Sequence, residues 1–287
     1  MHGVKAVSNL SRFFSTHPLT RDAQLAAWAR FVSWQLRSRL RQEVIVPWIG
    51  GQSLAVRRGM TGATGNIYVG LHEFSDMMLP LHLLREGDLF LDVGANVGSY
   101  TILASGVRGA MTWAFEPDPD TVVALQRNID LNTLSDRVVV HELALGDRDG
   151  TVSFTRGLDT VNRVALQGEL SVRQVSVRRL DTLIGNGRPL MIKMDVEGYE
   201  ESVVRGAHGV LAGDSLKVIE LETITPEIQT TFDHYGFSRA HYDPFRRALT
   251  NTPNDQHPSN AVFVRDWDFV AARLSAAPVV EVLSKSI

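Results

Sequence analysis

Asp92, Gly94, Asn96 and Gly98 stand in one short stretch, Leu89-Phe90-Leu91-Asp92-Val93-Gly94-Ala95-Asn96-Val97-Gly98-Ser99-Tyr100-Thr101. A carboxylate, two glycines and an amide grouped this closely can hold a small polar ligand against the backbone. The glycines lack a Cβ where the chain must turn and a ligand must approach. Residues 89–93 read as a strand covered on both faces, apolar except for Asp92. A helix is expected after Gly98, with its first amides directed at the ligand. The spacing is not that of a dinucleotide fingerprint, in which the second glycine of G-x-G-x-x-G admits a pyrophosphate. Asn96 holds that place here, giving G-x-N-x-G. A ligand without a pyrophosphate, such as S-adenosylmethionine, needs no such clearance.

Further carboxylates fall at the ends of other expected strands. Glu116 follows an apolar run at 111–115, 24 residues after Asp92, where it could accept both hydroxyls of a ribose. Residues 142–147 leave the next strand where adenine would lie. Asp195 and Glu197 follow the run at 190–194, beside the position of a transferring methyl, and are the candidate catalytic residues. In parallel α/β sheets, ligands bind beyond these carboxyl ends of the strands.

Each position also has a plainer explanation. Asp92 can satisfy loop amides while touching a cofactor, Glu116 can act as a helix-dipole acid, and Asp195 can cap the next helix. Asp147, in Gly146-Asp147-Arg148-Asp149-Gly150, reads as a turn residue rather than an adenine ligand. Lys193 and Lys217 alternate with apolar residues and read as ordinary strand positions. The nine histidines show no metal-ligand spacing. His234 and His241 read as surface or packing residues, whereas His72 and His257 lie in loops that could cover a pocket. A divalent metal on Asp195, Glu197 and Glu222 would have suitable oxygen ligands. It ranks below a metal-free reaction, so no metal is expected.

The elements that must position these residues follow from the hydrophobic pattern. Residues 1–42 form a basic, amphipathic helical extension, with seven Lys/Arg against one acid, Asp22, through residue 41. A helix over 20–40 places Leu25, Trp28, Val32, Leu36 and Leu40 on one stripe, with Arg30, Arg37 and Arg41 on another face. Packing of that stripe on the body is the preferred reading, ahead of a membrane or acidic partner and of a transit peptide. Residues 43–80 form a β-rich accessory or cap segment, with strand patterns at 44–46, 54–56 and 67–69, then a helical stretch from His72 to Leu84. Residues 81–270 form the main domain and 271–287 a C-terminal tail. In the main domain, strands at 89–93, 111–115, 138–141, 190–194 and 216–221 alternate with helices. Asp118-Pro119 is a good helix start. Residues 151–154 with 172–177, and 237–242 with 260–265, read as antiparallel pairs. The alternation predicts an α/β fold with a mostly parallel sheet and helices on both faces.

At these residues the chain resembles the FkbM-type family of S-adenosylmethionine-dependent methyltransferases. The matching segments are Gly87-Asp88, Leu91-Asp92-Val93-Gly94-Ala95-Asn96-Val97-Gly98, Ala114-Phe115-Glu116-Pro117, Asn128 and Ala144-Leu145-Gly146-Asp147. Further along come Leu180-Asp181-Thr182-Leu183, Ile192-Lys193-Met194-Asp195-Val196-Glu197-Gly198-Tyr199-Glu200, Glu220-Leu221-Glu222 and Ser259-Asn260-Ala261-Val262-Phe263-Val264. Their order and spacing are more specific than any single motif. The likeness covers residues 73–264. It implies a Rossmann-like class I methyltransferase fold with a seven-stranded sheet, O-methyl transfer, and S-adenosyl-L-methionine as cofactor. It carries the cofactor role onto Glu73, Asp92, Gly94, Asn96, Gly98, Glu116 and Asp195, and supports Asp195 and Glu197 at the reaction centre.

Composition bounds the alternatives. With 44% hydrophobic and 21% charged residues and a net charge of −3, the chain can bury a large core and carries no global signature of nucleic-acid binding. The absence of cysteine excludes disulfides, thiolate metal sites and cysteine nucleophiles, including the adduct route to cytosine C5 methylation. No apolar run is long enough to span a membrane, and a cytoplasmic location is expected, with peripheral membrane contact through the basic helix as an added option. The expected acceptor is the hydroxyl of a small molecule: a sugar, a glycolipid, a lipid-linked glycan or a polyketide. The rival classes are a nicotinamide-dependent Rossmann oxidoreductase, which would need the missing G-x-G-x-x-G, and a non-catalytic methyltransferase-like binding module. An amino-directed nucleic-acid methyltransferase would carry Asn/Asp-Pro-Pro-Tyr/Phe where this chain has Asp195-Val196-Glu197-Gly198.

Overall fold

A computed structural model describes residues 2–155, 163–164, 171–251 and 260–287. The N-terminal part contains helices α1 (His2–Thr16) and α2 (Gln24–Leu40), the hairpin β1 (Val44–Pro47) and β2 (Ser53–Val56), and helices α3 (Thr61–Val69) and α4 (Phe74–Leu83). The main domain opens with β3 (Leu89–Val93), α5 (Ser99–Ile102), β4 (Met111–Phe115), α6 (Pro119–Leu131) and β5 (Val138–His141). A small inserted sheet follows, made of β6 (Ala144–Leu145), β7 (Gly150–Thr155) and β8 (Val172–Arg178). Then come α7 (Leu180–Leu183), β9 (Pro189–Met194), α8 (Glu200–Arg205), α9 (His208–Ala212), β10 (Val218–Leu221) and α10 (Pro226–His234). The chain closes with β11 (Ser238–Asp243), β12 (Ala248–Thr250), β13 (Ala261–Val264), α11 (Trp267–Ser275) and the hairpin β14 (Glu281–Val282) and β15 (Lys285–Ser286).

The central sheet has the order β12-β11-β13-β10-β9-β3-β4-β5. The strands from β10 to β5 are parallel, and β13, β11 and β12 add antiparallel at one edge. This is the Rossmann-like class I methyltransferase architecture, with eight strands rather than the expected seven. The extra strand, β12, returns against β11 after a tight turn in which Asp243 accepts from the amides of Phe245 and Arg246. The chain runs from β3 to neighbours on opposite sides, β4 and β9, so the topological switch point lies at the C-terminal end of β3.

One face of the sheet is covered by α4, α11 and the C-terminal hairpin, through Met78, Leu81, Val270, Leu274 and Val282. The other is covered by α8, α9 and α10, through Val203, Leu211, Ile228 and Phe232. A third core lies under α1, α2 and α3, where Phe14, Trp34 and Tyr68 meet Leu125 and Ile129 of α6. The expected antiparallel pairs 151–154/172–177 and 237–242/260–265 are present as β7/β8 and β11/β13. Asp118 caps α6 by accepting from the Asp120 amide, with Pro119 in the first turn.

Three expectations are corrected. Residues 67–69 are the last turn of α3 rather than a strand. A run of three apolar residues does not distinguish a strand from a helix buried on several sides, and α3 is wedged between α2 and the body. The 20–40 helix begins at Gln24 and follows a separate helix, α1. Finally, of the Leu25–Leu40 stripe only Trp28 packs on the body, against Phe14, while Leu25, Val32, Leu36 and Leu40 stay exposed. The inward face of α2 is Ala27, Trp34 and Ser38, while Leu25 is 87% and Leu40 84% exposed. Residues 271–287, set apart as a C-terminal tail, comprise the end of α11 and the β14/β15 hairpin, with Leu274, Ala277, Val280 and Ile287 buried.

Candidate active site

The turn after β3 is locked by two glycines. Gly94 has φ 82° and Gly98 φ 92°, both in the region that favours glycine. A Cβ on Gly94 would lie 1.9 Å from the carbonyl oxygen of Asp195, and one on Gly98 2.6 Å from Leu125. The β3 turn therefore interlocks with the end of β9, and the Asp195 amide completes the joint by donating to the Val93 carbonyl at 2.9 Å. Asn96 and Glu197, neither of them glycine, both take left-handed conformations, with φ 49° and 51°. Such backbone strain concentrates at ligand sites.

Glu116 is buried and ties the next strand end to this turn. Its Oε2 accepts from the Asn96 amide at 3.0 Å and its Oε1 from the Asp118 amide at 2.9 Å. Burial pushes its carboxyl up to about 7, against the pull of those two amides. Glu116 lines a cleft with Gly94, Asn96 and Asp195, walled by Phe115, Leu143, Leu145, Phe154 and Tyr199. Glu116 beside Phe115, Leu143 and Leu145 is a set of residue types that matches a ribose and a flat ring, but the space they enclose is about 60 Å³, so the cleft must widen to admit an adenosine. Asp147 stands outside the slot, its amide near the Ser202 hydroxyl at 3.2 Å.

A second, larger cavity of about 590 Å³ opens on the other side of the same turn. The two spaces share Gly94, Asn96, Asp195 and Glu197. Glu73, Tyr100, Lys193, Glu222 and Asn260 line its protein side, and Leu10, Phe13 and His72 close it from the N-terminal elements. Glu73 Oε2 accepts from the Tyr100 hydroxyl at 2.7 Å. His72 thus lies in a cavity wall, as its loop position suggested. His257 is outside the described residues.

Beneath this cavity runs a row of ionisable groups that periodicity alone did not reveal. Asp92, Lys193 and Glu220 are register partners on β3, β9 and β10. All three are buried, and all face the α4 side of the sheet. Lys193 donates to Asp195 Oδ2 at 2.9 Å, and its ammonium lies 4.4 Å from the centre of the Tyr100 ring. Burial pulls Lys193 down, but the carboxylates of Asp195, Glu73, Asp92 and Glu220 outweigh it and hold the ammonium above the usual lysine range. Burial raises Asp92 and Glu220, and burial reinforced by Glu73 raises Asp76 to about 7. Asp92 accepts from the Thr101 hydroxyl at 2.6 Å and lies behind the turn rather than in either cavity wall. Lys193, expected as an ordinary strand position, is instead the central cation of the site. Lys217, at the other end of its strand, pairs with Asp266 at 2.9 Å away from the site.

Asp195 is one-third exposed. Oxygen atoms of Asp195, Glu197 and Glu222 lie within 4.8 Å of one another. Burial and then Asp195 raise the carboxyls of Glu197 and Glu222. The methyltransferase FkbM domain matches residues 92–242, more than half of the chain. The chain belongs to the FkbM methyltransferase family. A hexuronic acid methyltransferase, AglP, of Haloferax volcanii is 30% identical over 149 residues, covering 50% of this chain and 59% of that protein. Methyltransferase 1 of Beauveria bassiana is 29% identical over 159 residues, covering 46% of this chain and 64% of that protein. The chain therefore spans less than two thirds of the length of either relative. A crystal structure of a methyltransferase FkbM from Methylobacillus flagellatus KT aligns with a TM-score of 0.45 at 16% identity, covering 88% of this chain and 61% of that one. For an FkbM methyltransferase, the residues at the ends of β3, β4 and β9 lie at the crevice where the fold takes its ligands.

Proposed function

We propose that this FkbM methyltransferase transfers the methyl group of S-adenosylmethionine to a hydroxyl oxygen of a sugar or a similar polyol. The observation that carries this reading is the meeting of the two cavities at Gly94, Asn96, Asp195 and Glu197. One space carries the residue types for an adenosine and would widen to admit it, and the other leaves room for an acceptor next to a half-buried carboxylate. The name of the Haloferax volcanii relative supports the sugar assignment.

The cofactor, when bound, supplies an electrophilic methyl on a sulfonium. Gly94 and Gly98 would shape the turn that faces its methionine half, since they let that turn pack closely on Asp195 and Leu125. Glu116 accepts from the ribose hydroxyls, and Phe115, Leu143 and Leu145 exclude water from the adenine face. Glu73 and Asp195 lie on the acceptor side and favour the sulfonium charge. Asp92 stays in the cofactor assignment only indirectly, through Thr101 and the turn. On the acceptor side, the hydroxyl would donate its hydrogen bond to Asp195, which would orient the oxygen and take its proton as the oxygen–carbon bond forms and the methyl's bond to sulfur breaks, the electron pair staying on sulfur. Lys193 positions the Asp195 carboxylate, and Glu197 is the neighbouring acceptor for the proton.

A second reading rests on the convergence of Asp195, Glu197 and Glu222, whose oxygens could coordinate a hard divalent cation. The metal-free reading is preferred, because the Lys193 ammonium already neutralises Asp195 at 2.9 Å.

Calorimetric titration with S-adenosylhomocysteine, on the wild type and on Glu116→Ala, tests the cofactor site. The wild type should bind and the variant should lose most of its affinity. A wild type that does not bind overturns the assignment. Transfer of label from methyl-labelled S-adenosylmethionine to a panel of neutral, amino and uronic glycosides then tests the acceptor class, and absence of transfer to every member would leave a binding module.

A further inference from the structure

The face that α2 turns away from the body is built like the interfacial face of a membrane-surface helix. Leu25, Ala29, Val32, Leu36 and Leu40 recur at helical spacing and fall within a sector of about 80° at about 100° per residue. The opposite sector, with Ala27, Trp34 and Ser38, is the buried one. Leu25, Val32, Leu36 and Leu40 are 87%, 50%, 60% and 84% exposed. Single exposed aliphatic residues are ordinary, but a continuous stripe along four turns is not.

Charge frames the stripe. Arg39 lies about 60° to one side and Arg37 about 100° to the other, with Arg41 at the helix end. None of the three has a carboxylate partner among the described residues: Arg37 donates to the Ile45 carbonyl and Arg39 to the Gln35 carbonyl. Long cationic side chains beside an aliphatic stripe can lay their stems on it and extend their heads toward anions. The aromatic residues of α2 are turned inward instead: Trp28 packs on Phe14 at 5.3 Å and Phe31 on Tyr68 at 5.3 Å. The exposed face therefore lacks the aromatic anchors that dominate protein–protein hot spots. Two copies of this face would bring arginine against arginine.

We infer that the Leu25–Val32–Leu36–Leu40 face of α2, flanked by Arg37, Arg39 and Arg41, docks this enzyme on the surface of an anionic phospholipid bilayer. The helix lies in the plane of the interface, its leucines reaching into the acyl boundary and its arginines among the phosphates. Among the described residues no helix is long and apolar enough to cross a membrane. The inference does not depend on the proposed acceptor, because none of these side chains lines either cavity.

The test is co-sedimentation of the full chain with phosphatidylcholine vesicles and with vesicles containing phosphatidylglycerol. Binding is expected only to the anionic vesicles. It should fall steeply as salt is raised to about 1 M, where the screening length is about 3 Å. Replacing Arg37, Arg39 and Arg41 together by Gln should lower the partition coefficient by about a hundredfold, at about fivefold per basic residue. Leu36→Ser with Leu40→Ser should abolish binding even at low salt. Both variants should keep wild-type affinity for S-adenosylhomocysteine, which separates lost docking from a lost fold. Equal binding to neutral and anionic vesicles, or anionic binding unaltered in the leucine variant, overturns the inference. So does concentration-dependent self-association in analytical ultracentrifugation that the leucine variant removes, since the face would then be a subunit contact.

Discussion

The Lys193 ammonium lies 2.9 Å from Oδ2 of Asp195, two positions further along the same strand end. The two-residue period of a strand puts both side chains on one face. Lys193 is buried at 2% exposure while Asp195 remains one-third exposed, so the pair runs from the core to the cavity wall. The cation fixes the orientation of the carboxylate at the cavity wall.

Asp195→Asn removes the proton acceptor and keeps the shape. Turnover should fall about 10²- to 10⁴-fold, the usual worth of a positioned base. Affinity for S-adenosylhomocysteine, measured by calorimetry, should change by much less. Unaltered turnover would take Asp195 out of the mechanism.

Lys193→Met strands Asp92 and Glu220, which flank Lys193 in register. Removing one member of a buried ionic group costs about 3–5 kcal/mol. Denaturant unfolding should show that loss, and turnover should fall with it. If stability is retained while turnover falls, the lysine serves only to orient Asp195.

Gly94→Ala should fail sterically, since the new Cβ would sit 1.9 Å from the Asp195 carbonyl oxygen at a φ of 82°. Left-handed strain and overpacking together amount to about 2–6 kcal/mol. Lower thermal stability and lost binding of S-adenosylhomocysteine are expected. A variant that melts and binds like the wild type would show that the two strand ends do not interlock in solution.

The pH dependence of stability follows from Glu116, whose folded value of about 7 lies above the ordinary 4.5. The folded state therefore binds more protons than the unfolded state between those values, and the contribution of Glu116 to stability falls as pH rises through that window. Asp76, also at about 7, acts in the same sense. His82, held down at about 4 by burial, acts in the opposite sense below about 6.5. The clean readout is a difference: Glu116→Gln should flatten the decline in melting temperature between about pH 5 and pH 8. Parallel curves for the two proteins would contradict the raised value.

Extensive dialysis against EDTA should leave methyl transfer intact, consistent with Lys193 as the counter-charge to Asp195. Loss of turnover that magnesium restores would instead assign Asp195, Glu197 and Glu222 to a metal.

The parts of the site carried by local rules were legible in the sequence. Strand alternation located β3, β4, β5, β9 and β10, and the glycines of 94–98 marked the turn. Three features were not legible, each for a physical reason. A lysine inside an apolar run reads as an outward position unless its register partners are known, and those are carboxylates 101 residues before it (Asp92) and 27 after it (Glu220). The closure of the larger cavity by Leu10 and Phe13 depends on long-range docking of α1, which local periodicity does not encode. On α2 apolar residues occupy both faces, so the pattern located a helix without saying which stripe was inward. Trp34 took the core, with Trp28 and Phe31 partly buried beside it.

Asn128 of α6 donates to the Val97 carbonyl at 2.9 Å and accepts from the Ala55 amide of β2 at 2.7 Å. Asn132, one turn on, accepts from the Ser53 amide at 2.7 Å and donates to the Ser53 carbonyl at 2.8 Å. One amide side chain thus splices the N-terminal hairpin to the loop that carries Asn96. The segment matched by the family, 92–242, is consequently not a portable module. Trimmed to that span, or grafted onto a foreign N-terminal segment, it would present Asn128 with half its partners missing and a loosened loop beside it. Chimeras that exchange N-terminal segments between relatives would need to carry β1 and β2 along with the matching face of α6.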